Sequence, residues 1–443
     1  MLFERIVSEG LAHFSYIVGD RREAVVIDPR RDCDAYVEAA AAQGMRIVAV
    51  LETHRNEDCV AGSVELAART GAEIWHADAH LDYGYGGPVR DGQTWKVGRL
   101  KLQAIHSPGH TPGSMSYLLR DAGGEPWILF TGDALFAGEV GRVDLLGMDR
   151  AQEMAGLLHE TIFGKILPLG DQVILCPAHG SGSVCGAGIA ERLWTTVGLE
   201  RKLNPRLRLT ARSDFIAGVA RALERPPYFR RVEVLNVQGP PVLGAVPVPV
   251  PLPPDEFEKR SAEATVADVR TELAFCAAHV PGSLFLWREV LPVFAGWFLP
   301  AGRPLLLVDD PGNMGGVARG LVRLGFDDIA GCLAGGMPGW LMAGRESRAT
   351  GTVSVGELCR EADEHGLPWI LDVRGEAEAA GEGAIPGAHR IGLTSLPGRR
   401  EEVPRDRPVA VFCGSGVRSR GAASLLEAAQ AELAVLRSYL PQP

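Results

Sequence analysis

The amino-terminal half of the chain is a succession of short apolar runs separated by polar turns. Ala24-Val25-Val26-Ile27-Asp28-Pro29 is a β-branched run stopped by a proline, which predicts a buried strand. Ile47–Val50, Leu100–Ile105 and Val173–Leu175 predict further strands, and Ala35 to Gly44 has helical composition closed by a glycine. Residues 1 to about 225 therefore read as two layered sheets flanked by helices. From Pro226 the pattern changes to Pro226-Pro227-Tyr228-Phe229 and a Val/Pro-rich run from Pro240 to Pro254. No core can be built from such a run, so 226–254 is expected to be an extended, semi-rigid linker.

Beyond it, strand and helix patterns alternate in two copies about 100 residues apart, spanning 255–348 and 349–443. Ala267-Asp268-Val269-Arg270 recurs as Leu371-Asp372-Val373-Arg374, and Val280-Pro281-Gly282-Ser283 recurs as Ile385-Pro386-Gly387-Ala388. The strand Leu305–Val308 ends in Asp309, whereas its counterpart Val409–Phe412 ends in Cys413. The first copy closes on Gly335-Gly336-Met337-Pro338-Gly339-Trp340; the second has no such ending and reads as short.

With 443 residues the chain has room for several cores, and its 46% apolar and 23% charged content is that of an ordinary globular protein. A net charge of −10 offers no field for nucleic acid or an anionic membrane, while leaving room for an anionic small substrate beside local arginines. Eight cysteines are scattered without paired spacing, as expected of separately placed thiols in a reducing compartment. No leader pattern and no apolar run of about 18 residues occurs, so a cytoplasmic location is expected.

Four strand-end segments carry metal-ligand chemistry: Thr53-His54-Arg55-Asn56-Glu57-Asp58-Cys59, Pro108-Gly109-His110-Thr111, Thr131-Gly132-Asp133 and Pro177-Ala178-His179-Gly180. Together and in this order they resemble the metallo-β-lactamase superfamily, which implies an αββα sandwich. The usual opening loop of that family is His-x-His-x-Asp-His; here Asn56 stands at the second His and Cys59 at the last. Asn56 binds divalent metal poorly, so a dinuclear zinc site of the hydrolase kind is not expected. His54, His110 and Asp133 survive as two imidazoles and one carboxylate, a set suited to non-haem Fe(II) with open positions. The pattern, including the segment Asp133 to Asp144, resembles the persulfide dioxygenase branch. That resemblance implies one Fe(II) per chain on these three residues, with zinc the alternative, and conversion of a small-thiol persulfide and O2 to sulfite and free thiol. Asp58 and His179 are expected as outer partners of the ligands or as structural residues, and Arg142 as a contact for the anionic end of the substrate. His76, His80 and His106 carry no motif and read as surface or loop residues.

The repeated part, with its Asp-Val-Arg and Ile-Pro-Gly elements and a Cys loop between strand and helix, resembles rhodanese sulfurtransferases. The fold class is therefore α/β: a metallo-β-lactamase sandwich over 1–225 followed by two rhodanese-like parallel α/β domains. Cys413-Gly414-Ser415-Gly416-Val417-Arg418 is a loop whose amides converge on one spot, stabilising a thiolate nucleophile at Cys413, with Arg418 orienting an anionic donor such as thiosulfate. The first copy has no such cysteine and reads as a spacer or docking surface. Sulfite made at iron and sulfur carried on Cys413 would exchange through thiosulfate. A homo-oligomer would help to cover the short carboxyl end. Two alternatives stand beside this reading: a zinc thioester hydrolase of the glyoxalase II kind, and a sulfur-relay protein with a metal-free first domain.

Overall fold

The computed structural model describes residues 1–186, 188–310, 314–366, 368–429 and 436–439. The chain divides into two compact units: Met1–Val246 with Val322–Gly325, and Pro247–Leu321 with Phe326–Pro443.

The first unit is a sandwich of two six-stranded sheets. One sheet runs in chain order through Leu2–Ser8 (β1), His13–Asp20 (β2), Glu23–Ile27 (β3), Arg46–Leu51 (β4), Glu73–His76 (β5) and Gly87–Pro88 (β6). The other is built from Thr94–Val97 (β7), Leu100–His106 (β8), Met115–Arg120 (β9), Pro126–Gly132 (β10), Ile174–Pro177 (β11) and Thr195–Thr196 (β12). Pairing is parallel from β3 to β6 and between β10 and β11, and antiparallel elsewhere. The period-two alternation of β3 explains its burial on both faces. Val25 and Ile27 face the space between the sheets with Leu102, Tyr117 and Phe130, while Ala24 and Val26 pack outward with Tyr36 and Leu66. Helices Asp34–Ala42 and Ser63–Thr70 cover that outer face, and Met148–Thr161 covers the other sheet through Met154 and Leu158.

The stretch expected to be an extended linker departs from that expectation. Phe229–Gln238 is a helix, and Phe229, Val232 and Asn236 are buried. Their spacing of three and four residues puts one stripe against the sandwich, so this segment belongs to the first unit.

The second unit holds two five-stranded parallel sheets of matching topology. The first comprises Pro251–Leu252 (β13), Thr265–Asp268 (β14), Leu284–Phe285 (β15), Leu305–Val308 (β16) and Ile329–Leu333 (β17), in the order β13-β17-β16-β14-β15. The second comprises Gly351–Val353 (β18), Trp369–Asp372 (β19), His389–Arg390 (β20), Val409–Phe412 (β21) and Leu436–Tyr439 (β22), in the order β18-β22-β21-β19-β20. Each copy carries the same brace. Arg270 grips Asp268 through two bonds of 2.9 and 2.6 Å and donates to the Ala278 carbonyl; Arg374 does the same with Asp372 and Gly383. The copies meet along the helix Val417–Ala429. The Ser424 hydroxyl accepts from the Phe285 amide at 2.9 Å, and Glu427 takes hydrogen bonds from His279 and Thr350. Phe294 and Phe298 of the first copy pack on the core of the second. Part of the carboxyl-terminal stretch expected to be short, 430–435 and 440–443, lies outside the described residues.

Candidate functional site

His54, His110, Asp133 and His179 lie in the loops that follow β4, β8, β10 and β11, so the fold gathers them at one edge of the sandwich. Each is held from behind. The Asp28 carboxylate at the end of β3 accepts from the Thr53 amide and hydroxyl, both at 2.8 Å, and the Thr53 oxygen is 2.8 Å from His54 Nδ1. Gly132 makes this possible, because its φ is +54° and a Cβ there would lie 2.6 Å from the Thr53 hydroxyl. His110 Nδ1 lies 2.9 Å from the Arg142 carbonyl, and Asp133 Oδ1 lies 2.8 Å from His179 Nδ1. Gly141 lets the chain double back here, since a Cβ would collide with the Asp133 carbonyl at 1.8 Å. Asp78 ties the first two loops together, accepting from the Arg55 amide, the Thr111 hydroxyl and the Gly113 amide.

With their outer atoms engaged, His54 Nε2, His110 Nε2 and Asp133 Oδ2 face one another. The carboxylate oxygen is 3.9 Å from the first and 3.5 Å from the second. All three atoms are buried without a hydrogen-bond partner, and the three residues can present donor atoms within 4.8 Å of each other. Atoms bound about 2.1 Å from a shared ion stand about 3–4 Å apart, so the set fits one cation. The fixed Nδ1 bonds also leave each Nε2 lone pair pointing inward, as metal-ligating imidazoles require.

The local field favours a cation. Burial would keep His110 neutral, but Glu57 and Asp133 outweigh it and raise its pKa to about 9. Glu57 Oε1 is 3.3 Å from His110 Nε2 and takes the Cys185 thiol at 3.5 Å. Asp133 would be raised by burial, yet His179, His54 and His110 bring it down to about 2. His179 itself lies between two carboxylates, with Nε2 2.8 Å from Asp58 Oδ2.

The substituted positions behave differently. Asn56 is buried and presents no bond from its side-chain oxygen, and its carbonyl accepts from Asn236. Burial and the Asp58 carboxylate push the Cys59 thiol well above its ordinary pKa, and Cys59 is not among the residues whose donor atoms converge. Asp58, His179 and Cys185 form a second buried group whose donor atoms lie within 4.8 Å of one another and could hold a cation. Arg142 spends all five N–H donors on Asp144 and the carbonyls of Val184, Leu223 and Glu224, and therefore serves the site through its own carbonyl, not as the anion contact expected from sequence. Of the unassigned histidines, His76 is buried and stacks on Tyr83 at 3.9 Å instead of lying at the surface.

Sequence reasoning missed Asn236. Its side chain accepts from the Ala61 amide and donates to the Asn56 and Cys59 carbonyls, clamping the His54 loop. The signal was present, since Phe229, Val232 and Asn236 share a helical stripe in which a polar residue takes an apolar place.

In the second unit, Cys413 follows β21 and is fully buried. The Gly416 and Ser419 amides point at its sulfur, at 3.0 and 3.4 Å. Arg418 forms a two-pronged pair with Glu378, at 2.5 and 2.6 Å. In the first copy the equivalent strand ends in Asp309, whose carboxylate accepts from the Asp310 amide and pairs with Arg288. Pro311, Gly312 and Asn313 of that loop lie outside the described residues.

The fold and these four loops define an αββα sandwich with a candidate metal site, carrying a double rhodanese-like appendage. Comparison with known families agrees: residues 9–172 match the metallo-beta-lactamase superfamily, and residues 253–343 and 354–438 each match the rhodanese-like domain. The persulfide dioxygenase ETHE1 of Homo sapiens is 32% identical over 215 residues, 44% of this chain and 72% of that protein. The hydroxyacylglutathione hydrolase GloC of Haemophilus influenzae is 28% identical over 212 residues, 43% of this chain and 90% of that protein. Among solved structures, a metallo-beta-lactamase from Staphylococcus aureus aligns with a TM-score of 0.69 and 27% identity, across 75% of this chain and 99% of that one. The chain belongs to the metallo-beta-lactamase superfamily, among the relatives of persulfide dioxygenase ETHE1, with rhodanese-like domains following.

Proposed function

We propose that this chain oxygenates the persulfide of a small thiol to sulfite at a single iron held by His54, His110 and Asp133, and passes sulfane sulfur through Cys413. The observation that carries the reading is the set of three orphaned ligand atoms on His54, His110 and Asp133, with Asn56 in place of a histidine beside them; Asp58, His179 and Cys185 converge as a second group whose donor set is not that of the hydrolase pair. Iron at such a site supplies open positions at which a sulfur donor and O2 can meet. The protein's own part is to keep both imidazoles in the right tautomer through Thr53 and the Arg142 carbonyl, and to keep Asp133 ionised through His179. The overall reaction takes R–S–SH, O2 and H2O to R–SH, sulfite and two protons. At the second site the Cys413 thiolate attacks the outer sulfur of thiosulfate. The Sγ–S bond forms, the S–S bond breaks, and sulfite leaves with the electron pair; the reverse step makes thiosulfate. Seven buried unpaired cysteines and an exposed one support a reducing, cytoplasmic setting. Among the described residues no helix is long and apolar enough to cross a membrane.

The likeness to GloC favours a second reading, hydrolysis of a thioester by zinc. One experiment separates the two. Protein made with iron supplied is assayed for O2 uptake with glutathione persulfide and for S-lactoylglutathione hydrolysis, with metal content measured on the same sample. One iron per chain with O2 uptake is expected; two zinc ions with hydrolysis alone would overturn the oxygenase.

A further inference from the structure

The Cys413 loop has a cation that is already spoken for. Arg418 is bound through both nitrogens to the Glu378 carboxylate, the geometry that a guanidinium offers to an oxyanion substrate. The pair is not sealed in the core: the side chains keep 26% and 27% of their exposure, so an incoming anion can compete for the fork. It also lies on the loop itself. A Cβ added to Gly414, the residue after Cys413, would be 3.3 Å from Glu378 Oε1 and 3.4 Å from Arg418 Nη2. Glu378 is carried on the helix Glu376–Glu382, anchored by the buried Ala379. Arg374 is consumed by Asp372 and the Gly383 carbonyl, so it is not in reserve to replace Arg418.

We propose that Glu378 is the specificity-determining residue of this loop: by occupying Arg418 it disfavours oxyanion sulfur donors such as thiosulfate and favours organic persulfides. The inference rests on Cys413 being a sulfur carrier. An anion reaching Cys413 must displace a carboxylate from the guanidinium and then stand beside that carboxylate. A persulfide R–S–SH needs neither. The Cys413 thiolate attacks its terminal sulfur, the S–S bond breaks, RS⁻ leaves with the electron pair, and the terminal proton passes to it. The Arg418 fork that keeps Glu378 ionised also maintains the barrier at neutral pH.

The test uses the full-length chain and its Glu378→Gln, Glu378→Ala and Glu378→Asp variants, each checked by thermal melting. Transfer to cyanide is measured with thiosulfate and with glutathione persulfide as donors. Exchange of one partly exposed ion pair amounts to about fivefold, so KM for thiosulfate should fall by about that factor in the Gln and Ala variants while KM for the persulfide stays put. The Asp variant, which keeps the charge, should retain most of the discrimination. A thiosulfate KM that is unchanged or raised, or that moves together with the persulfide KM, overturns the proposal. Mass spectrometry keeps the two ideas apart. If Cys413 gains a sulfur atom from either donor while the KM ratio stays the same, only the role of Glu378 fails. If it gains none in any protein, the carrier reading fails, and the specificity proposal with it.

Discussion

Replacing Thr53 by valine keeps the volume and removes one hydroxyl, which makes it a clean test of the proposed metal centre. In the native site that oxygen donates to Asp28 Oδ2 and receives the His54 Nδ1 proton, each at 2.8 Å, within a wholly buried cluster. Valine strands the imidazole N–H and leaves Asp28 with only the Thr53 amide, at 2.8 Å. Each buried group deprived of its partner costs about 1–3 kcal/mol, so the fold should lose about 2–4 kcal/mol. Loss of an outer partner of a metal-bound imidazole typically lowers metal affinity about 10- to 100-fold, or about 1.4–2.8 kcal/mol. The assay is anaerobic competition for Fe(II) against a chromophoric chelator, with denaturant unfolding in parallel. Thr53→Ser, which restores the hydroxyl, should bind iron within about threefold of the native chain. An unaltered iron affinity in a folded valine variant would show that Thr53 does not position His54 as a ligand.

Two further outcomes follow from buried contacts. Burial would raise the Asp144 carboxyl, but Arg142 and the Leu223 amide outweigh that and hold it below the usual carboxylate range. Its folded pKa thus lies below the unfolded value of about 4, so the pair stabilises above that pH and the contribution is lost as pH falls through the folded pKa. Asp144→Asn should cost about 3 kcal/mol at pH 7, and the gap from the native chain should close below about pH 4 in denaturant melts; a gap independent of pH would refute the pairing. Ser424→Ala should leave the buried Phe285 amide without its acceptor and cost about 1–2 kcal/mol, with iron content unchanged. Full retention of the melting temperature would show that this seam contributes little.

His54, His110 and Asp133 could be singled out from sequence as candidate ligands because each sits at the end of a strand whose apolar run is legible and whose loop carries turn residues at fixed spacing, and the fold brings the three together. The rhodanese-like pair could be read because its braces repeat, Asp268 with Arg270 and Asp372 with Arg374. The supports were not legible, because they are contacts across long separations. Asn236 clamps Cys59 from 177 residues away, and its helix is flanked by prolines that make the region look extended. Asp28 reads as a strand stop, and nothing in its neighbours indicates that it holds Thr53 25 residues later. Arg142 shows the opposite error. A lone arginine after a ligand suggests an anion contact, and only the fold reveals five acceptors already in place. Two-residue strands such as Leu284–Phe285 and His389–Arg390 carry too little pattern to be recognised at all.

The helix that begins inside the Cys413 loop leans on the first repeat through Ser424, Glu427 and the rings of Phe294 and Phe298. Anyone seeking to transplant the Cys413 loop alone would have to bring that neighbour along. Severed between the repeats, the carboxyl-terminal piece would meet water with the apolar surface that Phe294 and Phe298 covered and with a Ser424 hydroxyl that has lost its amide donor. The first copy is thus not redundant, for it forms the wall against which the second is built.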